Sequence, residues 1–187
     1  AIADVAHFVR SGDAIDNEAR HRGNSTYFPD RVVPMLPDNL SGNLCSLHEG
    51  EKRACIVVKI KIDSVGNKIS HKFTRAVIQS WASLEYGEVQ EVIDKGKGKP
   101  KVLDLVNTVI KPLYDAYSCL KISRKARSPL DLNLPERKIE IDEKGIVKDV
   151  RFKERLEAHK LIEEFMILAN VCAAETLSLI HISEPTR

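Results

Sequence analysis

The sequence has no run of about 18 apolar residues, the length from which a membrane helix is read, so it predicts no transmembrane segment. Its opening, AIADVAHFVR, is apolar but alternating, and it lacks the basic start and small-residue cleavage site of a secretory signal. Cysteine is sparse and unpatterned. Cys45, Cys55, Cys119 and Cys172 form no C-x-x-C pair, which argues against zinc and thiol-redox motifs. Pairing in a secreted protein is one reading of four scattered cysteines; reduced thiols in a cytoplasmic protein are the favoured one. An excess of one charge is also missing. With 29 Lys+Arg against 27 Asp+Glu the formal net charge is +2, too mild to indicate a nucleic-acid partner by itself. There is no G-x-G-x-x-G, no P-loop, no nucleophile elbow and no aspartate cluster of the metal-nuclease type. Internal repeats and low-complexity tracts are absent too.

What is present suits a single soluble domain: 187 residues, 43% hydrophobic and 30% charged, enough for a real core. Residues 2–9 alternate like a strand. Ser11-Gly12-Asp13 is a turn with a capping residue, and a short helix is predicted over about 14–22, stopped by Gly23. Three prolines (Pro29, Pro34, Pro37) keep 25–37 extended and irregular. Residues 53–63 alternate Ile with Lys, turn at Ser64–Asn67 and return through KISHKFTRAVIQS, which predicts a hairpin with one buried and one wet face. Helix is predicted over 86–94, a flexible basic loop over 95–101, and a helical stretch over 102–126 kinked or broken at Pro112. A Pro-marked segment, SPLDLNLPERK, precedes a second hairpin turning at Glu143-Lys144-Gly145. A closing helix follows over about 154–176. The fold class predicted is α+β, with a mixed, mainly antiparallel sheet and packed helices.

Three places could carry chemistry. Arg22 to Arg31 packs two arginines, small polar residues and the adjacent aromatics Tyr27 and Phe28 into a Pro-limited loop. Such a loop either stacks a base and holds a phosphate or simply anchors itself to the core. On the last helix His159, Glu163 and Asn170 fall on one face at i, i+4 and i+11, among Leu161, Ile162, Phe165, Met166, Ile167 and Leu168. Polar groups beside so much burial need partners, from the protein or from a ligand; His159 and Glu163 alone are too few to define a metal site. Leu84-Glu85-Tyr86-Gly87 sits where a strand hands over to a helix. The residues by themselves point to an α+β domain suited to a polyanion partner.

Read together, three segments resemble one family. AIADVAHFVRSGDAIDNEARHRGNSTYFPDRVVPMLPDNLSGNLCSL is similar to the central signature of the catalytic (RNB) domain of the ribonuclease R / ribonuclease II family, and KIEIDEKGIVKDV and HKLIEEFMILAN resemble later parts of that domain. The resemblance covers residues 1–176. It implies a processive hydrolytic exoribonuclease that degrades single-stranded RNA from the 3′ end to nucleoside monophosphates, as a cytoplasmic monomer in its full-length form. Catalysis in the family uses Mg²⁺ held by aspartates, hard oxygen ligands suited to that ion, to activate water and clamp the scissile phosphate. The resemblance places Tyr27 at a base-stacking position, Tyr86 near the RNA end, and Glu163 where a carboxylate contacts terminal ribose hydroxyls. Arg22 joins them as an RNA-binding candidate.

The family's aspartate cluster is expected before Ala1 and its catalytic arginine beyond the last helix. Asp4, Asp13 and Asp16 do not reproduce the cluster's spacing, so no catalytic and no metal-binding residue is assigned in this chain. Where one branch of the family carries a Phe opposite the stacking Tyr, Ser128–Glu136 has no aromatic and Asp131 falls near that position. The mid-phrase start, without Met, suggests an internal fragment. LSLIHISEPTR, residues 177–187, resembles an in-frame sequencing adaptor and is expected to be a non-native tail. A catalytically inactive RNA-binding relative is the alternative; an Asp-rich motif upstream would decide for the nuclease. A structural domain with coincidental motifs is the third reading.

Overall fold

The computed structural model describes residues 1–127, 137–142, 145–152 and 154–180. Helices and antiparallel strand pairs alternate along the chain, and the described residues form two compact units. The first holds residues 1–57 and 74–83 with the hairpin over 137–152. The second holds residues 58–73, 84–127 and 155–180. No helix among the described residues is long and apolar enough to cross a membrane.

In the first unit β1 (Ile2–Ala3) pairs antiparallel with β4 (Lys52–Ile62), placing Ile2 opposite Ile56 and Ala3 opposite the fully buried Cys55. The strand expected over 2–9 ends there. Asp4 is only 3% exposed, and a buried carboxylate needs compensation. It turns inward to accept two hydrogen bonds from the Arg75 guanidinium, at 2.6 and 3.1 Å, and the chain winds through a single 3₁₀ turn, Val5–His7. Arg75 holds the Asp4 carboxyl below the usual carboxylate range.

Helix α1 (Ala14–Arg22) forms as its ends dictate. The Asp13 side chain accepts from the Asp16 N–H at 2.7 Å, and Gly23 closes the helix at φ +75°. Next come the two-residue strands β2 (Thr26–Tyr27) and β3 (Val32–Val33), antiparallel, with Tyr27 opposite Val32. β5 (Lys68–Gln79) neighbours β4, and this long hairpin has its base in the first unit and its turn in the second. The alternation read over 53–63 holds: Lys59 and Lys61 are exposed while Ile60 and Ile62 are half-buried. A second hairpin joins β6 (Arg137–Ile141) and β7 (Val147–Phe152), antiparallel, with Gly145 at φ +79° near its turn. Glu143 and Lys144 of the expected turn lie outside the described residues, as does Ser128–Glu136.

The second unit is mostly helical: α2 (Tyr86–Lys95), α3 (Pro100–Asp104), α4 (Lys111–Arg127) and α5 (Glu157–Ile180). The basic loop is shorter than expected, because Pro100 suits the first turn of a helix and starts α3. The helical stretch predicted to break at Pro112 departs earlier. A wide π turn, Val106–Ile110, precedes α4, and Pro112 stands in the first turn of α4, where its missing N–H costs least. Val92, Val102, Leu105, Ile110, Tyr117, Leu120, Ala158, Leu161 and Cys172 form this unit's core.

Two devices join the hairpin turn to the helices. Gly66, at φ +83°, lies so close to α4 that an added Cβ would stand 2.1 Å from the Cys119 carbonyl oxygen. On β5, Lys68 pairs with Glu175, and His71 Nε2 donates to the Thr176 hydroxyl at 2.8 Å. That hydroxyl itself donates to the Cys172 carbonyl at 3.0 Å, which leaves it free to accept from His71. The four cysteines are unpaired thiols.

Candidate nucleic-acid interface

The candidate residues divide between the units. Arg22 and Tyr27 belong to the first, Tyr86 and Glu163 to the second.

In the first unit the β2–β3 hairpin exposes its aromatics. Tyr27 is 77% exposed, so of the two readings of this loop the anchor is excluded for that ring. Phe28, also exposed, has the Arg31 guanidinium 5.2 Å from its ring centroid, within cation–π range, and the Phe28 N–H donates to the Arg31 carbonyl at 2.8 Å. Arg22 stands at the end of α1. Its Nε pairs with Glu18 one turn back at 2.8 Å, and NH1 donates to the Pro34 carbonyl at 3.1 Å, holding the outgoing chain of the hairpin against the helix. Its guanidinium is thus a brace as well as a surface cation.

In the second unit Tyr86 is the first residue of α2 and half-exposed. Its ring stacks on that of His159, in the first turn of α5, with centroids 4.1 Å apart and planes 19° from parallel. Gln90 Oε1 accepts from the Ala158 N–H at 3.1 Å, so α2 supplies a cap to the start of α5. Glu163, one turn after His159, forms an ion pair with Arg155 and stays partly exposed.

The face reading of α5 needs correction. The inward positions are Ala158, Leu161, Glu164 and Cys172, whereas Met166 is 61% exposed and Ile162, Ile167 and Asn170 are also exposed. The buried carboxylate is therefore Glu164, paired with Arg124 of α4, and not a member of the stripe read from the sequence. A second missed cluster ties α4 to α5. Glu157 accepts from Lys160 at 2.7 Å, Lys121 at 3.3 Å and the Tyr117 hydroxyl at 3.2 Å. The Lys160 ammonium, helped by Lys121, lowers the Glu157 carboxyl to about 2, while burial and the adjoining carboxylate raise the Tyr117 phenol to about 12.

Among the described residues no group of three or more His, Cys, Asp or Glu side chains is placed to hold a metal ion. Three carboxylates of the signature are already engaged: Asp4 by Arg75, Asp13 in capping α1, and Asp16 by the Gly12 N–H and Arg20. They do not fit a Mg²⁺ site.

The RNB domain family model matches residues 1–187. Ribonuclease R of Vibrio cholerae is 37% identical over 174 residues, covering 93% of this chain and 21% of the relative. Ribonuclease R of Thermotoga maritima is 39% identical over 178 residues, covering 93% of this chain and 24% of the relative. The structure of Mycoplasma genitalium RNase R in complex with ribose methylated single-stranded RNA superposes with a TM-score of 0.88 at 32% identity, over 95% of this chain and 28% of that one. The chain thus spans about a quarter or less of the two curated relatives. On a match running from the first residue to the last, the chain belongs to the RNB domain family.

Proposed function

We propose that this chain is part of a hydrolytic exoribonuclease that degrades single-stranded RNA processively from the 3′ end to nucleoside monophosphates, in the cytoplasm and as a monomer. Residues outside this chain supply the aspartates for Mg²⁺, and the bound ion would polarise the scissile phosphate. Within the chain Tyr27 offers a ring face to a base near the 3′ end. Tyr86 and Glu163 meet the terminal nucleotides, the carboxylate accepting from ribose hydroxyls, and Arg22 adds positive charge beside the hairpin.

The observation that carries this reading is a large aromatic ring left exposed on a braced hairpin of two-residue strands, in a chain whose fold superposes on an RNase R bound to single-stranded RNA. A solvent-facing Tyr of that kind gains little by burial and much by stacking on a ligand. The test uses the longer polypeptide that carries this sequence, with RNA labelled at its 5′ end and Mg²⁺. Stepwise shortening with release of mononucleotides is expected. Internal cleavage, or binding without cleavage, would overturn it. The 187-residue chain alone is expected to leave labelled poly(A) intact with Mg²⁺, and ladder formation that persisted through further purification would contradict the placement of the metal ligands.

A further inference from the structure

The Tyr86–His159 pair points to an inference that rests on Tyr86 contacting RNA. Tyr86 opens α2, and its ring reaches beyond its own helix to the start of α5. What fixes it is the near-parallel imidazole at 4.1 Å. The imidazole is itself held. The Leu156 N–H, unused by the helix because it lies just before α5, donates to His159 Nδ1 at 3.3 Å. That bond requires a lone pair on Nδ1 and so puts the ring proton on Nε2. The backbone at the start of α5 is in turn tied to α2 by the Gln90–Ala158 bond. A closed circuit results: α2 caps α5, the entry to α5 orients His159, and His159 covers one side of Tyr86. Yet Tyr86 remains 43% exposed, so the stack leaves ring surface available.

We propose that His159 is a positioning residue that backs the Tyr86 ring and so presents its uncovered surface to single-stranded RNA. A ring already held flat loses less side-chain freedom when a base or ribose packs on it, and binding gains accordingly. The contribution belongs to the flat ring of His159, with Nδ1 serving only to aim it. His159 itself need not touch the RNA.

The experiment measures the affinity of the full 187-residue chain for a fluorescent single-stranded oligoadenylate by anisotropy. It compares wild type, H159A, H159F, Y86A and Y86A/H159A. H159A is expected to weaken binding about 2- to 10-fold, the range of one aromatic pair. H159F, which keeps a flat ring, should recover most of the loss. In the Y86A background H159A should change affinity by less than about 2-fold. A second readout needs no RNA: the Tyr86 ring protons should lie upfield in the wild-type NMR spectrum and move downfield in H159A but not in H159F.

The outcomes separate. If Y86A binds as tightly as wild type, Tyr86 is not an RNA contact and the functional reading of that residue falls with this inference. If Y86A weakens binding while H159A is silent, or the two losses multiply, the positioning role alone is overturned. Should H159A fail to fold, H159F and H159L decide: equal affinity in both would mean that apolar filling suffices and that ring backing is wrong.

Discussion

Replacing Tyr27 by Ala separates binding from stability, because the structure leaves this ring almost wholly in water. At 77% exposure the side chain buries little, and its cross-strand neighbour Val32 is exposed as well. Truncation should therefore move the unfolding free energy by no more than about 0.5 kcal/mol, as at other surface positions. Stacking of a base on an aromatic is worth about 1–3 kcal/mol, so RNA affinity should fall roughly 5- to 150-fold. The lower end is expected, since Ser128–Glu136, which the family resemblance sets against the stacking ring, contains no aromatic. Affinity is read by anisotropy with the chain, and final product length with the longer polypeptide, where a weaker grip should release longer limit oligonucleotides. Tyr27→Phe keeps the ring face and should match wild type; Tyr27→Leu keeps apolar bulk and should resemble Ala. A Leu variant with native affinity would refute stacking, and a Phe variant as weak as Ala would assign the effect to the hydroxyl. A large loss of stability in the Ala variant would refute the hairpin geometry on which the separation rests.

Other perturbations test the framework. Gly66→Ala should destabilise by about 2–4 kcal/mol in urea unfolding, combining the positive-φ penalty with a forced shift against the backbone of α4; a loss below about 1 kcal/mol would show that the approach is looser than described. Arg124→Ala strands the Glu164 carboxylate, 4% exposed, and should cost about 3–5 kcal/mol, whereas Arg124→Met with Glu164→Leu should recover most of it; equal loss in single and double variants would contradict an ion-pair origin. With its carboxyl lowered to about 2 from an ordinary 4.5, Glu157 contributes stability that is present above pH about 4.5 and lost as pH falls toward 2, and Lys160→Met should flatten that acid limb. Tyr117, raised from 10 to about 12, acts at the other end: its contribution is complete below pH 10 and lost as pH rises toward 12, and Tyr117→Phe should remove that alkaline loss.

Local signals carried far in this chain. Asp13 and Gly23 bracket α1 because a cap and a positive-φ residue act within one turn. The Ile/Lys alternation of β4 is a period of two that water itself enforces. The signals failed where the partner is remote. Nothing near Asp4 announces that Arg75, 71 residues away, draws its carboxylate inward and ends a strand that alternation would have continued. Nothing in the Glu163-Glu164 pair says which of two adjacent carboxylates faces the core, since α5 is apolar around most of its circumference and only Arg124 of α4 decides. The exposure of Tyr27 was likewise invisible, because spacing cannot tell an anchoring ring from a presented one. The stack of Tyr86 on His159 joins residues 73 apart, beyond the reach of any local pattern.

The bond from Gln90 to the first turn of α5 has a dynamic consequence. An N-terminal amide satisfied by a different helix cannot keep its partner once that helix loosens. Fraying at the start of α5 therefore breaks a bond to α2, and opening of α2 takes away the cap of α5. In native-state hydrogen exchange the amides at the start of α5 should show the same opening free energy as those around Gln90, one cooperative unit assembled from segments nearly 70 residues apart.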